Sequence, residues 1–335
     1  MRPLNILMTA GSRRVPLVHA FRNALRSTGI PGHVIVTDVN PLSPAVHVAD
    51  RSYRVPMATD AGYLPELLSI CEGEGVRLVV PTIDDELPLI GGARDDFRAI
   101  GAMVAASSQQ TALLCNDKYD TCRHLAGAGV PAAATWTVDD LPADAPLPLF
   151  IKPRVGRGAV GAFPIHSPRE LAFFRDYVPN PVIQEFLHGP EFTIDVMCDV
   201  DGRPLSIVPR ERTVIRAGVM DRGRTVKSPK LMALAEAACA AVPFAGPLNI
   251  QCRMRGDEPV IFEINPRFSG GIPLTIESGA DFPRMLVRLA VGGRVEPTIG
   301  AFRDGLWMTS FESSFFIEEA ELAMPALDRR ISEVA

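Results

Sequence analysis

The sequence predicts a mixed protein: an α/β parallel-sheet domain over residues 1–110, two α+β subdomains over 111–190 and 191–317, and an acidic tail over 318–335. Three observations carry this reading. Short apolar runs alternate with amphipathic helical patterns through the first part, as strand–helix–strand units do. A glycine-rich loop directly follows an apolar strand at Leu147–Pro153. Near the end, Leu248–Met254 and Val260–Ile264 flank a turn made by Arg255-Gly256-Asp257-Glu258-Pro259, the pattern of a β-hairpin.

In the first part, Asn5–Thr9 is a strand, and Pro16–Ser27 is a helix with Leu17, Ala20, Phe21, Ala24 and Leu25 on one face. His33–Thr37 is the second strand, ending at Asp38. Pro65–Glu72 is a helix and Arg77–Val80 the third strand. Asp84-Asp85-Glu86 opens another helix, where acids complement the dipole, and Val104–Ala105 closes the unit. The loop Ala10-Gly11-Ser12-Arg13-Arg14 sits at a helix N-terminus, where free N–H groups bind anions. Ser12 and Arg13 are therefore candidate substrate contacts, with a plain turn carrying solvated arginines as the alternative. The Gly-x-Gly-x-x-Gly of a dinucleotide site is absent, and Asp38 reads as a structural cap.

In the second part, Asn116 or Asp117 caps a helix that runs to about Ala128. Lys118 sits in its first turn, where a cation opposes the dipole, which favours a functional reason for it. Leu147–Pro153 is a strand carrying Lys152 near its end. Gly156, Gly158 and Gly161 follow at once, so backbone N–H groups can approach phosphates there; a hinge is the bland alternative. Ser167 caps a helix to Tyr177, and Val182–Leu187 is a strand leading into the third part. There, Phe192–Asp199 and Leu205–Arg210 form antiparallel strands. The basic segment holding Arg210, Arg212 and Lys227 is either a solvated face or a grip on an anionic substrate. Ser228 caps a helix from Lys230 to Ala241, Asp281–Val291 is a further helix, and Trp307–Phe316 is a late strand.

Composition narrows the classes. A hydrophobic fraction of 47% excludes a disordered chain, and a net charge of −5 gives no footprint for nucleic acid. Six cysteines without a Cys-x-x-Cys pair argue for a reducing compartment and against zinc. The first apolar run is too short for a signal peptide, and none reaches the roughly 18–20 residues that cross a bilayer. A cytoplasmic protein is expected. Of 34 basic residues only Lys118, Lys152, Lys227 and Lys230 are lysine, a hint that an ammonium is needed where one occurs.

The hairpin carries the chemistry. With its loop centred on Asp257, Gln251 lies opposite Glu263, and Asn265 shares the face of Glu263. One carboxylate and two amide oxygens then converge, a donor set suited to Mg²⁺; a polar face of an ordinary hairpin is the alternative. Arg267 follows, then Ser269-Gly270-Gly271, a third candidate substrate segment.

Taken in order, Lys118, Lys152, the Gly-rich loop, Gln184-Glu185-Phe186-Leu187, Gly189-Pro190-Glu191, Gln251 and Ile261-Phe-Glu-Ile-Asn-Pro-Arg267 resemble the ATP-grasp superfamily. The likeness spans roughly residues 5–315 and is greatest to single-copy proteins similar to the carbamoyl-phosphate synthase large subunit. It implies an ATP-grasp architecture, with an N-terminal Rossmann-like domain and two α+β subdomains sandwiching ATP. By the same resemblance Lys118 and Lys152 would contact phosphates, Gly156–Gly161 would be a mobile lid, Glu185 and Leu187 would hold the adenine edge, and Glu191 the ribose. Gln251, Glu263 and Asn265 would hold two Mg²⁺ ions, with Mn²⁺ allowed, and Arg267 would stabilise the transferring phosphoryl group. Two departures matter. The synthase has arginines where this chain has Lys118 and Lys152, and it needs two tandem copies, so carbamoyl-phosphate synthesis proper is not expected.

The implied activity is carboxylate–amine ligation through an acyl phosphate, with Arg267 and Lys152 as catalytic residues. The expected partners are a small carboxylate and an amine, with no nucleic acid or membrane and with a homodimer allowed. A non-catalytic ATP-binding module, a carbamate-forming carboxylase and an oxidoreductase built on residues 1–110 are the competing classes.

Overall fold

The computed structural model describes residues 2–322. Most of the acidic tail therefore lies outside the described residues. The chain divides into two compact units. One holds residues 2–109, 281–296 and 311–322; the other holds Gln110–Ala280 and Pro297–Ser310.

In the first unit β1 (Asn5–Met8), β2 (Val34–Asp38), β3 (Arg51–Arg54), β4 (Val76–Val80) and β5 (Met103–Val104) form a parallel sheet in the order β3-β2-β1-β4-β5. Its central strands are buried at all but Asn5 and Arg77, which is why they read as nearly continuous apolar runs and not as alternation. Helix α1 (Val15–Thr28) buries Leu17, Val18, Phe21, Ala24 and Leu25. Helix α2 (Tyr63–Glu74) precedes β4, and two short helices, α3 (Leu87–Gly92) and α4 (Arg94–Ala99), follow it. The helix expected at Asp84 is only a 3₁₀ turn, Asp84–Glu86, ahead of α3. Glu86 is completely buried; its carboxylate accepts from Thr82 N at 2.8 Å and from the Tyr63 hydroxyl, and burial pushes its pKa up. Asp38 accepts from Ser12 N at 2.7 Å and Asn40 N at 2.9 Å, so both its oxygens serve the loop after β1. Helix α10 (Phe282–Ala290) packs on α1 in this unit, although its sequence position put it with residues 191–317. Its inward stripe of Phe282, Leu286 and Val287 finds its partner here.

The second unit opens with α5 (Gln109–Asn116) and α6 (Lys118–Gly127). Strands β6 (Thr135–Trp136), β7 (Leu149–Pro153), β8 (Phe163–Ile165) and β9 (Pro181–Glu185) form an antiparallel sheet in the order β6-β9-β7-β8, with α7 (Pro168–Tyr177) beside β8. A larger antiparallel sheet follows, β14-β13-β10-β11-β12-β15. Its strands are β10 (Glu191–Cys198), β11 (Pro204–Arg216), β12 (Val219–Thr225), β13 (Gly246–Arg255), β14 (Glu258–Asn265) and β15 (Trp307–Thr309). The basic segment is thus a two-stranded ribbon, β11 and β12, turned at Ala217-Gly218. Its far end is exposed on both faces, which suppresses the apolar alternation that marks a strand.

Alternation sorts the two faces of the large sheet. Phe192, Ile194, Val196, Ile207, Leu248, Ile250, Ile261 and Ile264 point into a core covered by α8 (Pro229–Ala241) through Leu231, Leu234, Ala235 and Ala238. Each such aliphatic side chain contributes about 1.5–3 kcal/mol by leaving water. The cross-strand register puts Glu191, Arg212, Gln251, Arg253 and Glu263 on the opposite, polar face. A short helix, α9 (Ile272–Glu277), follows β14. Among the described residues no helix is long and apolar enough to cross a membrane.

Candidate active site

The hairpin of β13 and β14 closes through a two-residue turn, Gly256-Asp257, with Arg255 opposite Glu258. Gly256 has φ +61°, a conformation glycine adopts without strain. A loop this tight would leave the register one residue off the expected pairing. A bulge corrects it: the register shifts between Gln251 and Cys252, and Phe262 is the extra residue. Gln251 therefore faces Glu263, and Asn249 faces Asn265. Phe262 and Glu263 both line one cavity, and the Phe262 carbonyl accepts from Lys152 Nζ at 3.4 Å.

That cavity, about 380 Å³, lies between the two sheets of the second unit. Lys152 enters from β7 and is only 6% exposed. Burial pushes its pKa down, against the opposing pull of Glu263 and Cys122. Behind it the Gln184 amide donates to Thr135 Oγ1 at 2.9 Å and to Cys122 Sγ at 3.3 Å, a closed floor. Lys118 comes from the first turn of α6, where Asp117 caps Tyr119 N and Asp120 N at 3.0 Å and offsets the unfavourable dipole. Its ammonium donates to Gly156 O at 2.7 Å, so it holds the Gly-rich loop. Gly156, Gly158 and Gly161 all have positive φ; the first two line the cavity, while Gly161 packs toward Pro153.

Phe150, Phe186, Leu187 and Phe262 give the cavity an apolar section suited to a flat ring. The Glu185 carboxylate is held by Ala134 N at 2.9 Å and Arg255 at 3.1 Å. Glu191 is gripped by Arg212 at 2.8 Å and Arg253 at 2.5 Å. Arg212 also donates to Gln251 Oε1 at 3.3 Å and Gly218 O at 2.7 Å, and its buried Nε finds no partner among the described residues. Five cationic side chains and three carboxylates line the cavity, a local excess of positive charge in a chain of net charge −5. That balance suits a polyanion.

Of the metal-ligand candidates, Gln251 and Glu263 line the cavity; Asn265, 6% exposed, and Arg267 lie next to them but are not part of its lining among the described residues. Asn265 Nδ2 donates to Glu263 Oε1 at 3.1 Å, and Asn265 Oδ1 accepts from Arg267 Nη2 at 3.3 Å. Gln251 pairs with Glu263 across the strands. One carboxylate and two amide oxygens are hard donors that fit Mg²⁺, provided other oxygens complete its shell. Among the described residues no group of three or more His, Cys, Asp or Glu could hold a metal. The set therefore fits an ion that arrives with an anionic ligand.

The substrate candidates separate. Arg210 is 1% exposed, pairs with Asp195 at 2.8 Å and donates to Ser269 Oγ at 2.8 Å, so both Arg210 and Ser269 are engaged inside the protein. Lys227 stands over the Phe302 ring, with its ammonium 5.6 Å from the ring centre. Ser12 and Arg13 are exposed in the first unit. Arg212 alone of the six lines the cavity among the described residues. Arg253 was missed in the sequence; it lies two positions beyond Gln251 on the same strand, so the alternation that selected Gln251 also selects it. Phe262 was hidden because a bulge leaves no mark in composition.

The fold is the ATP-grasp fold, and the family matches bear on residues 6–105 and 178–313. Residues 178–313 match the family model described as ATP-grasp in the biosynthetic pathway with Ter operon, and residues 6–105 match the PylC-like N-terminal domain. The chain is 22% identical over 293 residues to the carbamoyl phosphate synthase arginine-specific large chain of Bacillus subtilis, covering 81% of this chain and 28% of that one. Across the curated relatives it matches, it spans between 26% and 37% of their length. Among solved structures, the biotin carboxylase domain of Hydrogenobacter thermophilus 2-oxoglutarate carboxylase, a complex with MgADP, ADP and bicarbonate, has a TM-score of 0.71 at 15% identity, over 92% of this chain and 74% of that one. The L-amino acid ligase of Bacillus licheniformis has a TM-score of 0.67 at 18% identity, over 91% and 78%.

Proposed function

We propose that this protein is an ATP-dependent carboxylate–amine ligase acting on small, amino-acid-like molecules. One observation carries the reading: a single cavity gathers two lysines, a Gly-rich loop, an apolar slot, and an oxygen-donor pair at Gln251 and Glu263. Simple nucleotide binding does not require that donor pair. The relatives add support, since an L-amino acid ligase shares the fold and a carbamoyl phosphate synthase chain is similar over most of this sequence.

In this reading the γ-phosphoryl group of ATP passes to a carboxylate oxygen, giving an acyl phosphate and ADP. An amine attacks the acyl carbon, forms the amide and releases phosphate. Positioning and charge neutralisation do most of the work in such a transfer. Lys118 and Lys152 take up phosphate charge, and the loop from Gly156 to Gly161 keeps water from the acyl phosphate. Glu263, Gln251 and Asn265 would hold Mg²⁺, with Mn²⁺ as a substitute; when bound the ion neutralises the phosphates. Arg267 stabilises the transferring group. Glu185 and Leu187 face the adenine, and Glu191 faces the ribose. We further propose a cytoplasmic enzyme and a homodimer, with domain boundaries near residues 110, 190 and 317. The test is a phosphate-release screen of carboxylate and amine pairs with Mg-ATP, read by product mass. Release that needs both partners and yields their amide supports the reading. Release with bicarbonate alone replaces it with carboxylation, and no release with any pair overturns it.

A further inference from the structure

Two cysteines of the second unit meet where α8 lies on the large sheet. Cys198 ends β10 and is 0% exposed; Cys239 is in the last turn of α8 and is half-buried. Their sulfurs are 4.0 Å apart, and one thiol donates to the other. The sequence sets up this approach. Around Cys239, α8 reads Ala235-Glu-Ala-Ala-Cys-Ala-Ala241, and Ala235 and Ala238 are completely buried in the core under the sheet. In a close-packed interior, side chains this small bring the helix near the strands. Cys198 also sits where the sheet can give. The ladder between β10 and β11 shifts register between Met197 and Cys198, and the residue opposite Cys198 is Pro204, which has no N–H to donate.

The two thiols are unequal. The hydrogen bond with Cys239, together with burial, pushes the Cys198 pKa up and keeps that sulfur a neutral thiol. Cys239 is partly open to solvent. An oxidant therefore meets Cys239 first, with Cys198 beside it as the resolving sulfur.

We propose that Cys198 and Cys239 are a site of reversible oxidation, at which a hydroperoxide converts the thiol pair into a disulfide that fastens α8 to β10. Cys239, as a thiolate, attacks the peroxide and becomes a sulfenic acid. The O–O bond breaks, and the other oxygen leaves as water or an alcohol. The Cys198 sulfur then attacks the Cys239 sulfur. The S–S bond forms, the S–O bond breaks, and the hydroxyl leaves with the Cys198 proton as water. Two thiols give up two electrons and one peroxide is reduced. A dithiol returns the pair to thiols by exchange. Closing the 4.0 Å gap to a bond of about 2.05 Å asks the Cys239 side chain to turn toward Cys198.

The chain between the two cysteines holds the whole of β11 and β12, whose Arg212, Ile215 and Gly218 line the cavity. The disulfide closes this segment into a loop. It therefore restricts the unfolded chain and raises stability.

The test treats the purified protein with hydrogen peroxide, blocks remaining thiols with N-ethylmaleimide in denaturant without reductant, and maps the peptides by mass. The expected product links the Cys198 and Cys239 peptides, has two fewer alkylated thiols and reverts with dithiothreitol. Its melting temperature should rise by several degrees on oxidation and return on reduction. Cys239→Ser should lose both the link and the rise. Cys198→Ser should lose the link and leave Cys239 as a sulfenic acid that dimedone captures. Cys71→Ser, in the first unit, should keep both. The wild-type peptide map decides the matter even if a variant fails to fold. Full alkylation of all six cysteines after peroxide treatment overturns the proposal, and so does linkage of Cys198 or Cys239 chiefly to another cysteine.

Discussion

Lys152→Met separates what the fold wants from what the site needs. The ammonium is almost fully buried; it donates to the Phe262 carbonyl at 3.4 Å and stands 5.1 Å from the centre of the Phe262 ring. Burial outweighs the pull of Glu263 on it, and burying an ammonium costs several kcal/mol after relaxation. Methionine has a similar shape and removes that cost, leaving only a carbonyl without its donor, about 1 kcal/mol. The variant should therefore melt at the same temperature as wild type or higher. The pH dependence follows in sign. Burial lowers the folded pKa below the ordinary lysine value of 10.5, so over that window the unfolded chain binds more protons. Wild-type stability then rises as pH climbs toward 10.5, and the variant lacks this rise. Binding moves the other way. Loss of one charge-assisted bond to phosphate costs about 1.5–3 kcal/mol, roughly a tenfold to hundredfold weaker ATP complex. Thermal melts across alkaline pH and a calorimetric ATP titration give both numbers. A destabilised variant, or one with unchanged ATP affinity, refutes the reasoning.

Other outcomes follow from the same geometry. Arg210→Met leaves Asp195 buried with its charge uncompensated and should cost about 3–5 kcal/mol in urea unfolding. Adding Asp195→Leu should recover most of this, and a double variant as unstable as the single one contradicts the ion-pair account. Glu86 has its pKa raised by burial, so wild-type stability should fall as pH rises above 4.5. Glu86→Gln should flatten that fall, measured by melting temperature against pH. Gly218 has φ +75°, and a Cβ there would lie 2.9 Å from Gly158 Cα. Gly218→Ala should therefore displace the Gly-rich loop and weaken ATP binding while the melting temperature moves little.

Much of this was legible in the sequence, for identifiable reasons. The buried strands β1, β2 and β4 carry continuous apolar runs, and α8 carries Ser228 and Pro229 at its start, signals that depend only on neighbours in the chain. Strand β3, Arg51-Ser-Tyr-Arg54, escaped because its side chains are exposed or half-buried and no apolar pattern marks it. The far half of β11, beyond the predicted strand Leu205–Arg210, and all of β12 escaped likewise, their arginines pairing with acids along the strands. The hairpin register came out right through two compensating features, a turn shorter than expected and a bulge at Phe262. Arg210 reads as an available cation in sequence, and only the fold reveals Asp195 beside it. Local spacing identifies which residues face a site; it does not tell which of them the protein has already paired.

The most direct measurement is the ATP dissociation constant of wild type and Glu263→Gln, each with and without Mg²⁺. Glu263 is a carboxylate in a cavity read as a phosphate site, so without the ion it repels the nucleotide. Wild type should bind ATP much more tightly when Mg²⁺ is added. Glu263→Gln should lose that gain while binding metal-free ATP at least as well as wild type does. An undiminished Mg²⁺ effect in Glu263→Gln would contradict the claim that this hairpin presents the metal to the nucleotide.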